Sequence, residues 1–254
     1  MTGVLDGQTA IVTGGGSGIG EAIARRFANE GCRVMVAGRR LEAIKTVAND
    51  IGGLAAVTDV SREADVEALM RRCDEAWGRL DILINNAGVT GPITGAEDMD
   101  MAAWDETMAI NLRGVMLCVK HAIPLLKRQG GSIVNMSSLM GLRGYPNRCA
   151  YTASKFAVIA ITQSVAHEVG QFGIRVNALC PGAVNGELME RVIAERAAKE
   201  GLPKEEIIRK NYTDVAAMRR WVEPEEVATT ALAMASDPFS AITGESVRID
   251  CGRM

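Results

Sequence analysis

A β-rich run, Thr9-Ala10-Ile11-Val12-Thr13, breaks into Gly14-Gly15-Gly16-Ser17-Gly18-Ile19-Gly20 and passes at once into the helix-forming stretch Glu21-Ala22-Ile23-Ala24. Few folds accept that order. A strand with a near-continuous apolar run has both faces covered. The glycines let the backbone turn sharply and approach another group closely, and a helix N-terminus behind them offers free N–H groups and partial positive charge to a phosphate. The strand-then-helix rhythm recurs. Candidate strands lie at 9–13, 33–37, 54–58, 81–85, 132–136, 175–179 and 246–249, with helical patterns at 18–30, 41–50, 62–77, 101–128, 151–172 and 225–235. Such alternation predicts an α/β fold, a doubly wound parallel sheet of about seven strands with helices on both faces.

The 254 residues are 48% apolar, enough for a sizeable core without staples, and no repeat, low-complexity tract or linker divides them. A single domain over 1–254 is expected. One segment, 183–221, breaks the rhythm: it holds no strand pattern but dense charge and some amphipathic helix around Leu188, Met189, Val192 and Ile193. Ligands of open α/β sheets bind beyond the strand C-termini, where this insert begins, so it is expected to be a substrate-binding lid rather than a pair of ordinary surface helices.

The net charge of −3 argues against a nucleic-acid surface or a polybasic membrane patch. Six cysteines are scattered without a C-x-x-C pair, which suits reduced, mostly buried thiols in a cytoplasmic protein and not a disulfide frame or metal site. The two histidines, His121 and His167, are too few for a histidine-based zinc centre. Residues 1–8 lack a signal-peptide pattern, and no membrane span is expected.

Tyr151 and Lys155 stand one helical turn apart, and Ser138 precedes the tyrosine by thirteen residues. A phenol, with a reference pKa of ~10, is a poor acid or base at neutral pH. A cation at i+4 on the same face stabilises its phenolate, and a hydroxyl from another segment can hold a substrate oxygen beside it.

With the glycine turn, this trio resembles the short-chain dehydrogenase/reductase family, in its shorter single-domain branch. The resemblance spans nearly the whole chain and implies a Rossmann-type sheet. Thr13, Gly14, Gly16, Ser17, Gly18, Ile19 and Gly20 match the family's cofactor turn. Asp59 and Val60 match its adenine contact, and Asn86, Ala87 and Gly88 the stretch after the fourth strand. Asn111, Ser138, Tyr151 and Lys155 match its catalytic positions, and Pro181, Gly182 and Val184 the stretch beside the nicotinamide. The resemblance implies hydride transfer between a secondary alcohol or ketone and a nicotinamide, with Tyr151 as general acid/base. Lys155 also holds the ribose, Ser138 polarises the substrate oxygen, and Asn111 holds a water in a proton relay. It further implies subunits paired through the helices at 101–128 and 151–172, in a homotetramer before a dimer.

Two positions depart from the pattern. Gly186 stands where a nicotinamide-contacting threonine is common, with Asn185 or backbone as the substitute. Cys251 stands where the final strand ends in glycine, as a small buried residue. The second strand pattern ends in Gly38-Arg39-Arg40 with no acidic residue to bind a ribose 2′-hydroxyl, so NADP is favoured over NAD, with Arg39 the principal contact and Arg40 secondary. The substrate pocket is expected to use Ser138, Met140, Arg148, Tyr151 and Met189. Arg143 and Arg148 suit an acidic substrate, whereas Met140, Leu142, Tyr145 and Met189 suit an apolar cyclic ketone. A 3-oxoacyl-carrier-protein reductase and a catalytically silent dinucleotide sensor are the alternatives, and the retained Asn111, Ser138, Tyr151 and Lys155 weigh against the sensor.

Overall fold

The computed structural model describes residues 3–253. Seven strands form one sheet in the order β3-β2-β1-β4-β5-β6-β7: β1 (Thr9–Thr13), β2 (Arg33–Gly38), β3 (Leu54–Val57), β4 (Ile82–Asn85), β5 (Gly131–Met136), β6 (Ile174–Pro181) and β7 (Ser246–Ile249). Every neighbouring pair is parallel. The expected strands all form, with ends shifted by at most two residues.

Because strand side chains alternate between faces, each strand feeds two cores. Ile11, Met35, Leu83, Ile133 and Val176 face a layer containing Val66, Leu117 and Val158 from α3 (Glu63–Trp77), α5 (Gly114–Leu126) and α6 (Cys149–Val169). Val12, Val34, Ile84, Val134 and Leu179 face Ile23, Phe27, Val47 and Val227 from α1 (Gly18–Asn29), α2 (Leu41–Asp50) and α9 (Pro224–Ala235). The sheet is thus buried on both sides, which is why its strands read as apolar runs. Strand order reverses between β1 and β4, and that switch point opens a crevice at the strand C-termini.

The helix expected at 101–128 is interrupted. It comprises α4 (Met101–Met108), a π turn at Ala109–Arg113 and α5, with the Gly114 N–H reaching back to the Ala109 carbonyl. Propensity carries no signal for such a turn, and π turns recur at functional sites; this one holds Asn111. The combined run Met101–Leu126 is long and apolar enough by composition to cross a membrane, which the sequence reading did not register. Over half of it is buried, with Val115, Leu117, Val119 and Leu126 in the core.

The insert forms α7 (Glu187–Glu200), α8 (Lys204–Ile208) and a π turn at Arg209–Thr213. It has a small core of its own, in which Ile193, Ile207 and Tyr212 pack with Ala183, Met189 and Trp221. The Tyr212 and Trp221 rings stack 5.6 Å apart. Val184 bridges Val222, so the insert leaves and rejoins the body at one place, beside the crevice.

All six cysteines are free; Cys149 is exposed and Cys251 half-buried, the others buried. Cys251 does not simply fill a buried glycine position. It keeps a left-handed φ of 54°, a conformation that glycine adopts more readily, and its thiol meets the Trp221 carbonyl at 3.4 Å.

Candidate active site

The crevice is a cleft of about 1290 Å³ running from the glycine turn to the insert. Gly14, Gly16, Ser17, Gly18 and Ile19 line one end. Ser17 is the N-cap of α1, yet its side chain makes no capping bond, so the first N–H groups of the helix stay available to an anion. A Cβ on Gly20 would lie 2.3 Å from the Gly14 carbonyl, so only glycine lets the helix start this close to the turn. Thr13 and Gly20 do not line the cleft, unlike their neighbours. The buried Thr13 hydroxyl donates to the Ile84 carbonyl and accepts from the Asn86 and Ala87 N–H groups at 3.0 and 3.1 Å. It therefore stitches β1 to the loop after β4, and Asn86 returns the tie through its amide to the Thr13 and Gly14 carbonyls.

Gly38 ends β2 at the cleft wall, followed by Arg39 and Arg40. The Arg40 guanidinium donates to the Ser17 hydroxyl at 2.9 Å, which places it over the mouth of the glycine turn. Asp59 and Val60 line the same region. Partial burial works to raise the Asp59 pKa, but the Ser61 hydroxyl and amide, with Arg39 and Arg62 nearby, hold it below the usual carboxylate value.

Asn86, Ala87 and Gly88, with Pro181, Gly182 and Val184 opposite, form the middle of the cleft. Gly186 has φ 142°, which excludes easy occupation by threonine. Asn185 lines the cleft, with its amide donating to Glu223 at 3.1 Å.

Ser138, Tyr151 and Lys155 converge at the end of β5, where α6 packs across the strand tips. The Ser138 hydroxyl accepts the Met140 N–H at 3.1 Å, leaving its proton to donate to the Tyr151 phenol. Ser137 points away and donates to the Lys155 carbonyl at 2.9 Å. Lys155 is buried, and its ammonium donates to the Met136 carbonyl at 2.8 Å, 5.6 Å from the Tyr151 ring centre. Burial lowers its pKa from 10.5 to about 8. The phenol does not follow the expectation of a depressed pKa. Burial raises it, opposed by the Ser138 hydrogen bond and by Arg148, so Lys155 alone does not make Tyr151 a phenolate. The i+4 spacing correctly places the lysine on the phenol's face, but it is silent on desolvation.

Asn111 lies in the π turn between α4 and α5. It is wholly buried and is not part of the cleft wall. Its amide oxygen accepts the Val89 N–H at 2.8 Å, and its amide nitrogen donates to the Val89 carbonyl at 2.9 Å and to Ser154 at 3.2 Å. Ser154 in turn donates to the Tyr151 carbonyl at 2.7 Å. Through these bonds Asn111 ties the loop after β4 to α6. Ser154, at i+3 from the tyrosine, carries no sequence signal for this work.

At the substrate end, Met140, Arg148 and Met189 line the cleft beside Tyr151. Tyr145, a pocket candidate of the sequence, joins them from the segment before α6, as do Tyr212, Arg196 and Arg253, brought in by the insert and the C-terminus; nothing in the linear spacing points to these last three. Outside the cleft, ligand atoms of Glu63, Glu67 and His121 lie within 4.8 Å of one another, a grouping that counting histidines did not foresee. The Lys120 ammonium already neutralises Glu63 at 2.6 Å.

A family model described as Enoyl-(Acyl carrier protein) reductase matches residues 14–253. The chain is 34% identical to D-beta-hydroxybutyrate dehydrogenase of Rhizobium meliloti, over 96% of this chain and 98% of the relative. It is 36% identical to 3beta-hydroxysteroid dehydrogenase 2 of Eggerthella lenta, over 98% and 95% respectively. The crystal structure of levodione reductase superposes with a TM-score of 0.92 at 32% identity, covering 98% of both chains. The parallel sheet, the cleft at its switch point and these relatives together make the chain a member of the short-chain dehydrogenase/reductase family, an NAD(P)-dependent oxidoreductase that interconverts alcohols and ketones.

Proposed function

We propose that the protein is an NADP(H)-preferring dehydrogenase/reductase of a small-molecule secondary alcohol, with Tyr151 as the group that gives and takes the substrate proton. The observation that carries this reading is the convergence of Tyr151, Ser138 and Lys155 at one end of the cleft whose other end is the glycine turn. The residues fit a dinucleotide: uncapped N–H groups of α1 would hold a pyrophosphate, and Arg40 over Ser17 with Arg39 beside Asp59 would suit a 2′-phosphate. No acidic side chain stands at Gly38 to repel that phosphate.

When bound, the nicotinamide supplies or accepts the hydride. The chain handles the proton. In reduction, the Tyr151 O–H donates to the carbonyl oxygen; in oxidation, the phenolate takes the alcohol proton. With substrate bound, the Ser138 hydroxyl turns its proton from the phenol to the same oxygen and lowers the cost of its developing charge. Lys155, held against the Met136 carbonyl, keeps a cation on the phenol's face when protonated and reprotonates near neutral pH. Asn111 and Ser154 hold the loop and helix that carry these groups.

The insert 183–221 acts in this reading as a lid: α7 lines the cleft while its ends are pinned at Val184 and Val222. A homotetramer is supported by exposed Met116 on α5 and Phe156 on α6. Six free thiols suit the cytoplasm, and the acidic net charge suits neither a nucleic acid nor an anionic membrane as partner. A panel of ketones, secondary alcohols and an acyl thioester, assayed with NADPH and NADH by nicotinamide absorbance, tests the reading. Absence of turnover across the panel with both cofactors would refute it.

A further inference from the structure

Arg148 sits where the cleft wall turns into α6. The residue before it, Asn147, has a left-handed φ of 61°, a conformation asparagine tolerates better than most side chains, and its carbonyl accepts the Thr94 N–H at 3.1 Å. This turn sends the arginine inward rather than to solvent. Arg148 is only 9% exposed, and its guanidinium carbon lies 5.0 Å from the centre of the Tyr151 ring. Its Nε and Nη1 are buried without a hydrogen-bond partner among the described residues.

Such a group is expensive to leave alone. A guanidinium keeps its proton under all ordinary conditions and offers only donors, and a buried cation is tolerated when paired. Elsewhere the chain obeys that rule. The half-buried Arg175 donates to the carbonyls of Met234, Ser236 and Ile242. Among the described residues, the carboxylate that acts electrostatically on Arg148 is Glu195 on α7, and no ion pair joins them. Tyr151 and Tyr212 are the other titratable groups it feels. Arg196 is spent on Glu200 at 2.6 Å, and Arg253 stands over the Tyr145 and Tyr212 rings at 5.9 and 5.4 Å, adding positive charge at the same end.

We propose that Arg148 is a specificity-determining residue that binds an anionic oxygen group of the substrate, so that the substrate is a short hydroxy acid or the matching oxo acid. This rests on the dehydrogenase reading above. The guanidinium and the phenol face the cleft side by side, so the anion and the reacting carbon are joined by a short carbon spacer. A carboxylate and a sulfonate share the required chemistry.

The test is steady-state kinetics of α-, β- and γ-hydroxy carboxylates and a hydroxyalkyl sulfonate, each beside its neutral methyl ester or amide. It uses wild type, Arg148→Met and Arg148→Lys. Wild type should favour an acid over its neutral counterpart by about 10- to 100-fold in kcat/KM, mostly through KM, the range expected for one charged hydrogen bond. Arg148→Met should erase that preference, lowering kcat/KM for the acid far more than for its neutral counterpart, while any shift of the pH profile from the lost charge beside Tyr151 should be the same for both substrates. Arg148→Lys should restore part of the preference. Carboxylate against sulfonate identifies which anion is native. Equal use of acid and ester by wild type overturns the proposal, as does an equal loss for both in Arg148→Met with a shifted pH profile, which would make Arg148 a tuner of Tyr151 only. Thermal stabilisation of the NADP-loaded protein by the same acids reads the subsite without turnover, and it should vanish in Arg148→Met. Persistence of that stabilisation in the variant overturns the proposal, whereas turnover failing for acids and neutral alcohols alike counts against the dehydrogenase reading.

Discussion

Lys155 should make the protein less stable than it would be without a charge there, in a way that pH reveals. The ammonium is 4% exposed, and burial lowers its pKa from 10.5 to about 8. For a lysine with a depressed folded pKa, the unfolded chain binds more protons between the two values, so stability rises as pH climbs through that window. Below pH 8 the penalty is fully present, roughly 3 kcal/mol at 1.36 kcal/mol per unit. Between pH 7 and pH 10 it falls by about 2.5 kcal/mol, from the same linkage. Lys155→Met keeps the apolar stem and removes the charge, but it leaves the Met136 carbonyl without its donor, at about 1–3 kcal/mol. That loss does not titrate in this range. The measurement is therefore a difference of differences: urea unfolding of wild type and Lys155→Met, both cofactor-free, at the two pH values. Wild type should gain on the variant by about 2.5 kcal/mol on going to high pH, since titrations of groups that do not feel Lys155 cancel in the comparison, and a Cys180→Ala background removes the thiol that does. A stability gap that does not change with pH would refute the claim that the ammonium is held at an electrostatic cost. The variant should also lose turnover, which makes the penalty one that the fold sustains for function.

Tyr151→Phe keeps the ring and loses the transferable proton, so kcat should fall by at least ~10²–10⁴-fold. NADP(H) affinity, read by fluorescence titration, should change little, and substantial residual turnover would contradict the assignment. Arg39→Ala should lower kcat/KM with NADPH by about 10- to 100-fold, the worth of a charged contact, with little change for NADH; an unchanged cofactor preference would remove Arg39 from the phosphate site. In Gly141→Ala the added Cβ would stand 2.3 Å from the Ser137 hydroxyl and 2.7 Å from the Lys155 carbonyl, so α6 must shift away from β5. A cost of about 1–3 kcal/mol and a Tm lowered by roughly 2–4 °C per kcal/mol should accompany a drop in kcat, measured by calorimetry and assay.

Local chemistry determined much of this protein before any tertiary contact is considered. The apolar strands, the glycine turn and the helix behind it specify a parallel sheet with an anion site at a helix N-terminus, because backbone conformation and two-sided burial are encoded residue by residue. The spacing of Tyr151 and Lys155 puts the lysine and phenol on the same face of α6, because one helical turn separates them, and the proposed proton-transfer role rests on that pairing with Ser138. Three matters required the folded molecule. The direction of the Tyr151 pKa shift depends on burial among distant segments, and burial opposes what helical spacing implies. The work of Asn111 depends on Val89 and Ser154, which reach it only across the β4 loop and α6. Arg148, a pocket candidate of the sequence, becomes a buried cation with unpaired donors only because Asn147 turns it inward beside residues of α7 and the C-terminal segment. Desolvation and pairing are properties of the whole packed structure, and they decide what a correctly spaced residue can do.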